Sequence, residues 1–191
     1  SNPEQAMKTA SAMLEGVPAP GYLILNAGIS QRAMAADTTL ETARRIIDLN
    51  FFGSVAVFQA VLPAMVEAGG GRIGVTSSIT GVFGGPLRSS YSASKHALKG
   101  YFESVALEYY NRKIRVTVAV PGFIRTRISE SSLTADGRAH GRMDGNQDKG
   151  MDPRKCAARY WRGVIKGRPE QLIEGRDRFY VLLYRRFRFL I

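Results

Sequence analysis

Short apolar runs alternate along this chain with longer segments whose apolar residues recur at helical spacing. The apolar runs predict buried strands at 22–26, 72–77 and 115–120, with an edge strand at 171–174. The periodic segments predict helices at 1–16, 40–68, 90–110 and 152–166. The repeated strand–helix–strand order implies right-handed crossovers and one parallel sheet. Residues 1–175 are therefore predicted to form a single α/β domain.

Local signals predict where two of these helices begin and where one bends. Ser1 or Asn2 can cap the first helix, and Thr38 with Glu41 three residues later has the form of a capping box for the second. Pro63 predicts a bend in the second helix, because a proline in a helix interior removes a backbone hydrogen bond.

Tyr91 and Lys95 are four residues apart in the first turns of the third predicted helix. This spacing puts both side chains on one helical face, roughly 5–6 Å apart at Cβ. A nearby ammonium favours the phenolate, so Lys95 is expected to lower the pKa of Tyr91 from its ordinary value of about 10. Ser78 ends the preceding strand and can present its hydroxyl to the same place. These three groups are what an enzyme needs to exchange a proton with the oxygen of an alcohol or ketone.

Two other features are candidates for a ligand site. Asn26, Ala27 and Gly28 follow the first strand at its carboxyl end, where ligands bind in open α/β sheets, and small residues let a ligand approach the backbone. Asn50 lies inside the mostly apolar second helix, where asparagine is intrinsically unfavourable. Asn50 is therefore a candidate site residue, the alternative being a structural asparagine satisfied by a neighbouring backbone group.

Ser78 and the Tyr91-x-x-x-Lys95 pair resemble the signature of the short-chain dehydrogenase/reductase family. Three more features agree in order and spacing with that family: Asn26-Ala27-Gly28, Asn50, and the segment PGFIRT at 121–126. The resemblance implies a Rossmann-like, doubly wound parallel sheet in three α/β/α layers. It also implies an NAD(P)-dependent oxidoreductase acting on CH–OH groups.

The resemblance also implies roles for the catalytic residues. Tyr91 would donate the proton in reduction and accept it in oxidation, and Lys95 would hydrogen-bond the nicotinamide ribose. Ser78 would hold the substrate oxygen, in preference to Ser77, because its distance from Tyr91 along the chain is the better family match. Asn50 would complete a proton relay through a bound water.

Further residues are implied to hold the cofactor together with Tyr91 and Lys95. Pro121, Gly122 and Thr126 would wrap the nicotinamide, while Asn26, Ala27 and Gly28 would lie along the adenosine side. The family's Gly-rich turn of Thr-Gly-x-x-x-Gly-x-Gly type does not occur in this sequence. The first sixteen residues instead resemble the helix before the Asn-Ala-Gly strand, so about three strands of the family sheet are absent. From the family resemblance, the cofactor is expected to be NAD or NADP, with NADP slightly favoured.

A parallel sheet without those strands would expose a long hydrophobic edge and a bare face. We therefore expect this 191-residue stretch not to fold stably alone. The remaining strands would either lie upstream in a longer protein or be truly missing.

Composition narrows the partners that we expect. Lysine and arginine outnumber aspartate and glutamate by 27 to 16, which gives a net charge of +11 and can attract phosphate-bearing cofactors or anionic lipid. No zinc-finger or aromatic-ribbon signature accompanies the charge, so no nucleic-acid partner is expected. Cys156 is the only cysteine and is expected to be a half-buried structural thiol, and His96 and His140 are far apart, so no metal site is predicted.

The polar, glycine-rich segment 127–151 occupies the position of the family's substrate lid. Its sequence resembles a subgroup of membrane-associated dehydrogenase/reductases, which suggests an apolar steroid-, retinoid- or lipid-like substrate. The basic segment 176–191 mixes arginines with large apolar residues and predicts either membrane-surface contact or packing on the body or a partner subunit.

Location and assembly are expectations of the same kind. No signal peptide opens the sequence and no apolar run reaches the ~20 residues of a membrane span, so a cytoplasmic location is expected, with an upstream anchor left open. The resemblance implies a homodimer or homotetramer. The alternative functions are a non-catalytic interaction protein that keeps the fold and a membrane-surface protein whose basic tail is the active part.

Overall fold

The structure is a computed structural model that describes residues 2–173 and, beyond them, only Val181, Leu183, Tyr184 and Arg186. The predicted basic segment 176–191 therefore lies outside the described residues except at these four positions. Four strands are present: β1 (Tyr22–Leu25), β2 (Gly71–Thr76), β3 (Ile114–Pro121) and β4 (Glu170–Ile173). The α-helices are α1 (Pro3–Ala12), α2 (Leu40–Ile47), α3 (Gly53–Glu67), α4 (Ser89–Glu108), α5 (Gly145–Asp148) and α6 (Pro153–Ile165).

All four strands are parallel and stand in the order β1-β2-β3-β4. Val75 pairs with both Leu25 and Val118, so the carboxyl ends of the first three strands finish at the same edge of the sheet. The loops that follow these strands are therefore brought together. The predicted parallel α/β sheet is confirmed.

Two glycines of β2 that face opposite sides of the strand show that helices cover both faces of the sheet. A Cβ added at Gly71 would meet Met65 of α3, whereas one added at Gly74 would meet Tyr160 and Val164 of α6. Because neighbouring residues of a strand point to opposite faces, α3 and α6 lie on opposite sides. The main core forms between the sheet and helices α3 and α4, where the largest fully buried side chains include Met65, Leu98 and Phe102. The architecture is thus the three-layer α/β/α arrangement predicted.

Two helix ends differ from the sequence prediction. Asn2 caps α1 by accepting hydrogen bonds from the N–H groups of Glu4 and Gln5, at 3.0 and 3.3 Å, and α1 ends at Ala12 rather than at residue 16. The cap of α2 is Thr39, which accepts a hydrogen bond from Thr42 N–H at 3.2 Å. Thr38 was the wrong choice.

The long second helix is interrupted by a π-helical turn well before the proline at which a bend was predicted. The turn spans Asp48–Phe52 and lies between α2 and α3, while Pro63 lies inside α3. A π-turn is a frequent device at functional sites, and this one contains Asn50.

The helical run Leu40–Glu67 is the one described stretch that is long and apolar enough to cross a membrane by length and composition. The run includes charged residues such as Arg44, Arg45 and Asp48, so it is not the uninterrupted apolar run that the sequence analysis looked for. Its side chains Phe58, Leu62 and Met65 are buried in the domain core. The apolar character is accounted for by packing against the sheet.

Strand β1 forms one edge of the sheet in the described part of the chain. Tyr22 and Ile24 of this strand are 45% and 41% exposed, respectively. The ring of Tyr22 packs against that of Trp161, with centroids 4.8 Å apart. The exposed apolar edge agrees with the expectation for a sheet without the missing strands, whereas the prediction of a buried strand is wrong for Tyr22 and Ile24.

Candidate active site

A cleft of about 1190 Å³ opens at the carboxyl ends of the strands. Most of the predicted site residues line it: Asn26, Gly28, Ser78, Tyr91, Lys95, Pro121, Gly122 and Thr126. Ala27 and Asn50 are not part of its wall. The sequence prediction therefore selected residues that are dispersed along the chain and that the fold brings to one cavity.

Tyr91, Ser78 and Lys95 are all buried at the base of this cleft. The Ser78 hydroxyl lies near enough to the Tyr91 phenol to influence its pKa, and Lys95 Nζ lies 5.6 Å from the centre of the Tyr91 ring. The neighbouring Ser77 instead donates its hydroxyl to the main-chain carbonyl of Lys95 at 3.0 Å. Of the two adjacent serines, Ser78 is therefore the one in contact with the phenol.

The pKa of Tyr91 is raised from its ordinary value, chiefly because burial disfavours the phenolate. The nearby Ser78 hydroxyl and the charges of Arg88 and Arg32 act in the opposite direction but do not overcome burial. The sequence led us to expect that Lys95 would lower this pKa. Lys95 is not among the groups that shift it, and Nζ donates a 2.8 Å hydrogen bond to the carbonyl of Thr76.

Burial also lowers the pKa of Lys95, to about 8. The side chain is 3% exposed, and its Nζ donates a hydrogen bond to the Thr76 carbonyl. Lys95 can therefore change protonation state close to neutral pH, which a surface lysine does not do.

Asn50 ties the π-turn to the helix that carries Tyr91 and Lys95. Its Oδ1 accepts a hydrogen bond from Ile29 N–H at 2.8 Å, and its Nδ2 donates to the Ile29 carbonyl at 3.0 Å and to Ser94 Oγ at 2.9 Å. The side chain is fully buried. The sequence analysis considered Asn50 either as a site residue or as a structural asparagine satisfied by neighbouring backbone groups. The structure shows the backbone contacts of the second role, and Asn50 affects the cleft only through the residues that it contacts.

Gly28 lies where the loop after β1 passes closest to these groups. A Cβ at this position would lie 3.3 Å from both Asn50 Oδ1 and Lys95 Nζ. Such contacts are tighter than an ordinary side chain makes, so a glycine is needed to keep the cleft open beside Lys95. Gly28 belongs to the loop of small residues, Asn26-Ala27-Gly28, that follows β1.

Gln31 is a residue that the sequence analysis missed. It is fully buried, and its Oε1 accepts a 2.8 Å hydrogen bond from Ser90 N–H in the first turn of α4. Arg88, the residue at the N-terminal cap position of α4, makes no side-chain capping bond, so Gln31 supplies the cap from a distant loop. No local pattern in the sequence reveals this contact.

Arg32, Arg88 and Asp144 form a second group that the sequence analysis missed. Arg32 contacts Asp144 through Nε, at 2.7 Å, and through a terminal nitrogen, while Arg88 approaches the same carboxylate at 3.4 Å. The charge of Arg32 holds the pKa of Asp144 below its usual range, although burial opposes this effect. Both arginines line the cleft. The one sequence feature that could have indicated this group is that Arg88 is only three residues before Tyr91.

The predicted lid segment 127–151 packs against the loop that carries Gln31. Leu133 exchanges main-chain hydrogen bonds with Arg32 and Ser30, at 2.8 and 2.9 Å. Near its end, Gln147 donates to the Ile124 carbonyl. The segment therefore forms one side of the cleft and brings Asp144 to the two arginines that line it.

The described residues contain no group of three histidine, cysteine, aspartate or glutamate side chains that could hold a metal ion. Cys156 is half-buried and lines the cleft, where burial raises the pKa of its thiol.

Comparison with known proteins identifies the family. A family model described as short chain dehydrogenase matches residues 1–137. The chain belongs to the short-chain dehydrogenase/reductase family. This is the family whose signature the sequence resembles, and its members are in general NAD(P)-dependent oxidoreductases.

Curated members of the family include dehydrogenase/reductases similar to this chain. The chain is 40% identical over 151 residues to a dehydrogenase/reductase SDR family protein 7-like of Drosophila melanogaster, covering 79% of this chain and 46% of that protein. It is 40% identical over 167 residues to dehydrogenase/reductase SDR family member 7B of Mus musculus, covering 86% and 52%, respectively. The chain thus spans about half the length of the curated relatives it matches.

Solved family structures share the fold. A short-chain dehydrogenase/reductase of Burkholderia phymatum in complex with NAD has a TM-score of 0.83 and 19% identity, covering 97% of this chain and 72% of that one. A short chain dehydrogenase of Burkholderia cenocepacia J2315 in complex with NADP has a TM-score of 0.79 and 23% identity, covering 98% and 71%. These likenesses concern the fold, and they include structures with each of the two nicotinamide cofactors.

Proposed function

We propose that the protein is an NAD(P)-dependent oxidoreductase that interconverts a ketone or aldehyde and an alcohol, with Tyr91 as the general acid and base. The observation that carries this proposal is that Ser78, Tyr91 and Lys95 are buried together in the wall of one cleft, with Lys95 beside the Tyr91 ring. Membership in the family supports it.

The residues of the cleft fit the nicotinamide half of such a cofactor. Gly28 leaves open the space beside Lys95 that a Cβ would fill, and Pro121, Gly122 and Thr126 line the neighbouring wall. Lys95 and Tyr91 would face the nicotinamide ribose, and Asn26 with Gly28 would continue toward the adenosine side. When bound, the cofactor supplies or accepts the hydride. We propose NAD or NADP, with NADP slightly favoured.

The chain's own residues would position the substrate oxygen and handle the proton. Ser78 would hold the oxygen by hydrogen bonding while Tyr91 Oη gives it a proton in reduction or takes one in oxidation. A buried phenol with a raised pKa is protonated at neutral pH, which is the form a proton donor requires. Lys95, with a pKa of about 8, is suited to pass a proton onward from this buried position.

Apolar side chains support an apolar substrate body. The cleft walls include Ile79, Phe123, Ile124, Ile128 and Trp161. A steroid-, retinoid- or lipid-like carbonyl compound would gain about 25 cal/mol for each Å² of apolar surface it buries there. The substrate class therefore rests on the walls rather than on the proton-transfer residues.

Assembly and location are further proposals. The homodimer or homotetramer is supported by the apolar residues Phe52 and Leu107, which are 47% and 81% exposed near α3 and on α4. Light scattering would test it, and a monomer at all concentrations would overturn it.

We propose a cytoplasmic protein with peripheral membrane contact through 176–191, which liposome co-sedimentation with and without that segment would test.

The direct test of the proposed activity is hydride exchange by the full-length protein. Purified protein would be mixed with NADH or NADPH and a panel of apolar ketones and aldehydes, and loss of reduced cofactor would be followed by absorbance. Cofactor oxidation matched by alcohol formation supports the proposal and identifies the preferred cofactor. Binding of neither cofactor would overturn it and leave the non-catalytic interaction protein as the better reading.

A further inference from the structure

Positive charge gathers on the side of the cleft formed by the start of α4 and the segment 127–151. Arg32 and Arg88 both line the cleft, and their side chains are 6% and 20% exposed. One carboxylate, Asp144, contacts both of them, so the three groups together carry a net charge of +1. A net charge this poorly exposed to water favours a bound anion.

Arg32 is fully engaged by protein groups. Its Nε and one terminal nitrogen contact Asp144, and the other terminal nitrogen donates to Ser30 Oγ at 3.0 Å and to the Gln31 carbonyl at 2.6 Å. Each of its nitrogens therefore already has a close acceptor. Arg32 holds Asp144 in place and has little capacity left for a ligand.

Arg88 is much less well satisfied. Its contacts are long: 3.4 Å to Asp144 Oδ2 and 3.5 Å to the Pro86 carbonyl, both at the outer limit for a hydrogen bond. Burial and the neighbouring Arg32 lower its pKa, which shows that the charge is poorly compensated. The guanidinium fork can therefore turn toward a stronger acceptor in the cleft.

The backbone before Arg88 is held in an unusual conformation. Leu87 has a φ of 60°, a left-handed conformation that residues other than glycine seldom adopt, and its carbonyl accepts a hydrogen bond from Ala33 N–H at 3.2 Å. Such conformations tend to persist where the surroundings fix them, often at ligand sites. The left-handed conformation of Leu87 sets the direction from which the next residue, Arg88, enters the cleft. Arg88 is three residues before Tyr91.

We propose that Arg88 binds an anionic group, a carboxylate or a phosphate, on the same substrate whose carbonyl Tyr91 protonates. This inference rests on the proposed function for the reaction and adds to it a substrate class: carbonyl compounds with an apolar body and one anionic group. Guanidinium groups pair with both anions through two parallel hydrogen bonds, so either is a suitable ligand. The apolar walls and Arg88 then recognise different parts of one molecule.

Arg127, another arginine of the cleft wall, is a poorer candidate. Its side chain is 89% exposed and donates from Nε to Glu130 at 2.8 Å. An exposed ion pair of this kind contributes little to binding. Selection for an anion is therefore assigned to Arg88.

The first test measures binding without turnover. Trp161 is the only tryptophan and lines the cleft, so its fluorescence reports on ligands there. The full-length protein would be titrated with an alkanoate, an alkyl phosphate and a neutral alkanol of equal chain length, with and without NADP. Wild type would be compared with Arg88→Gln, Arg88→Lys and Arg112→Gln, the last an exposed arginine just before β3, at the opposite end of the sheet.

We expect at least one of the two anions to bind wild type more tightly than the alkanol. Arg88→Gln should weaken that binding by roughly 10–100-fold, the effect of losing one charge-assisted pair, and leave alkanol binding unchanged. Arg88→Lys should fall between, and Arg112→Gln should match wild type. The ratio of alkanoate to phosphate affinity distinguishes the two anions. Equal binding of anion and alkanol, equal loss for both in Arg88→Gln, or displacement of the anion by NADP would overturn the proposal.

The second test uses turnover and separates this inference from the proposed function. The value of kcat/KM would be compared for a keto acid, a keto-alkyl phosphate and a neutral methyl ester of the keto acid in wild type and Arg88→Gln. Preference for either anionic substrate that disappears in the variant supports the role of Arg88, and no preference for either one in wild type overturns it. Absence of turnover with every carbonyl compound would instead contradict the proposed activity, while the fluorescence titration would still decide whether Arg88 binds an anion.

Discussion

Gln31 Oε1 accepts a 2.8 Å hydrogen bond from the main-chain N–H of Ser90, the residue immediately before Tyr91. Through its other end, Gln31 donates to Thr38 Oγ1 at 2.7 Å. A single buried amide therefore connects the loop after β1 to the first turn of the helix that carries the proposed acid and base. The position of Tyr91 depends on a contact between residues 59 apart in sequence.

Replacing Gln31 with alanine should destabilise the protein and misplace the start of α4. The change leaves Ser90 N–H and Thr38 Oγ1 without this partner and opens a cavity, so we expect a loss of roughly 2–4 kcal/mol in the free energy of unfolding. Urea unfolding followed by tryptophan fluorescence measures it. The control is Gln5→Ala on the exposed part of α1, where a change below about 0.5 kcal/mol is expected. Equal, small effects of both changes would contradict the role of Gln31.

Replacing Asn50 with leucine should be similarly costly, because it breaks all three bonds of the buried amide. Two of them hold Ile29, in the loop that contains Gly28, and the third holds Ser94. We expect unfolding to be easier by roughly 2–4 kcal/mol and turnover to fall in the fraction that stays folded. The exposed Asn111→Leu is the matched control. Wild-type stability in Asn50→Leu would show that the π-turn is held by other contacts.

A methyl group at Gly28 should impair the cleft while leaving the fold intact. The new Cβ would lie 3.3 Å from Lys95 Nζ and Asn50 Oδ1, whereas nothing lies within 4 Å of a Cβ at Gly84. Gly28→Ala is therefore expected to weaken cofactor binding or turnover by about tenfold or more, since small displacements of catalytic groups are costly. Gly84→Ala should behave as wild type. Isothermal titration with NADH and NADPH, with circular dichroism to check the fold, distinguishes them.

The low pKa of Lys95 should give stability a defined dependence on pH. Between about pH 8, the pKa in the folded protein, and 10.5, its ordinary value, the unfolded chain binds the proton more tightly than the folded one. The free energy of unfolding should therefore rise with pH across this window. Lys95→Met removes the buried charge, so it should be more stable than wild type at pH 7, by roughly 1–3 kcal/mol after loss of the bond to Thr76 is allowed for.

The advantage of Lys95→Met should shrink as pH rises from 8 to 10.5. Urea unfolding at several pH values measures this, with Lys8→Met on α1 as the control for removing an exposed charge. A constant difference between Lys95→Met and wild type over that range would mean that Lys95 is not desolvated in the folded protein.

The sequence predicted the features that depend on local pattern. The strands are visible as apolar runs because parallel strands are covered on both faces, and Tyr91 and Lys95 are visible because a spacing of four defines one helix face. Ser78 was preferred to Ser77 from its distance to Tyr91, and the structure turns Ser77 toward a main-chain carbonyl. Thr39 rather than Thr38 caps α2, because adjacent threonines can both cap and the path of the loop decides between them.

What the sequence could not supply depends on tertiary contact. Spacing places Lys95 near Tyr91 but does not reveal that Nζ donates to the Thr76 carbonyl or that burial dominates the pKa of the phenol. Gln31 and Asp144 contact Ser90 and Arg88 from loops with no regular pattern, so neither carried a signal. The same holds for Arg32, whose partner is 112 residues away in sequence.

The most direct measurement of the central claim is turnover and cofactor binding by Tyr91→Phe beside wild type. The change removes only the phenolic oxygen, so folding should stay as in wild type and cofactor affinity should fall far less than turnover. We expect kcat to fall by about 10²–10⁴-fold, the usual contribution of a general acid or base. A variant that binds NAD(P)H and reduces carbonyl compounds as fast as wild type would contradict the assignment of Tyr91 as the proton donor.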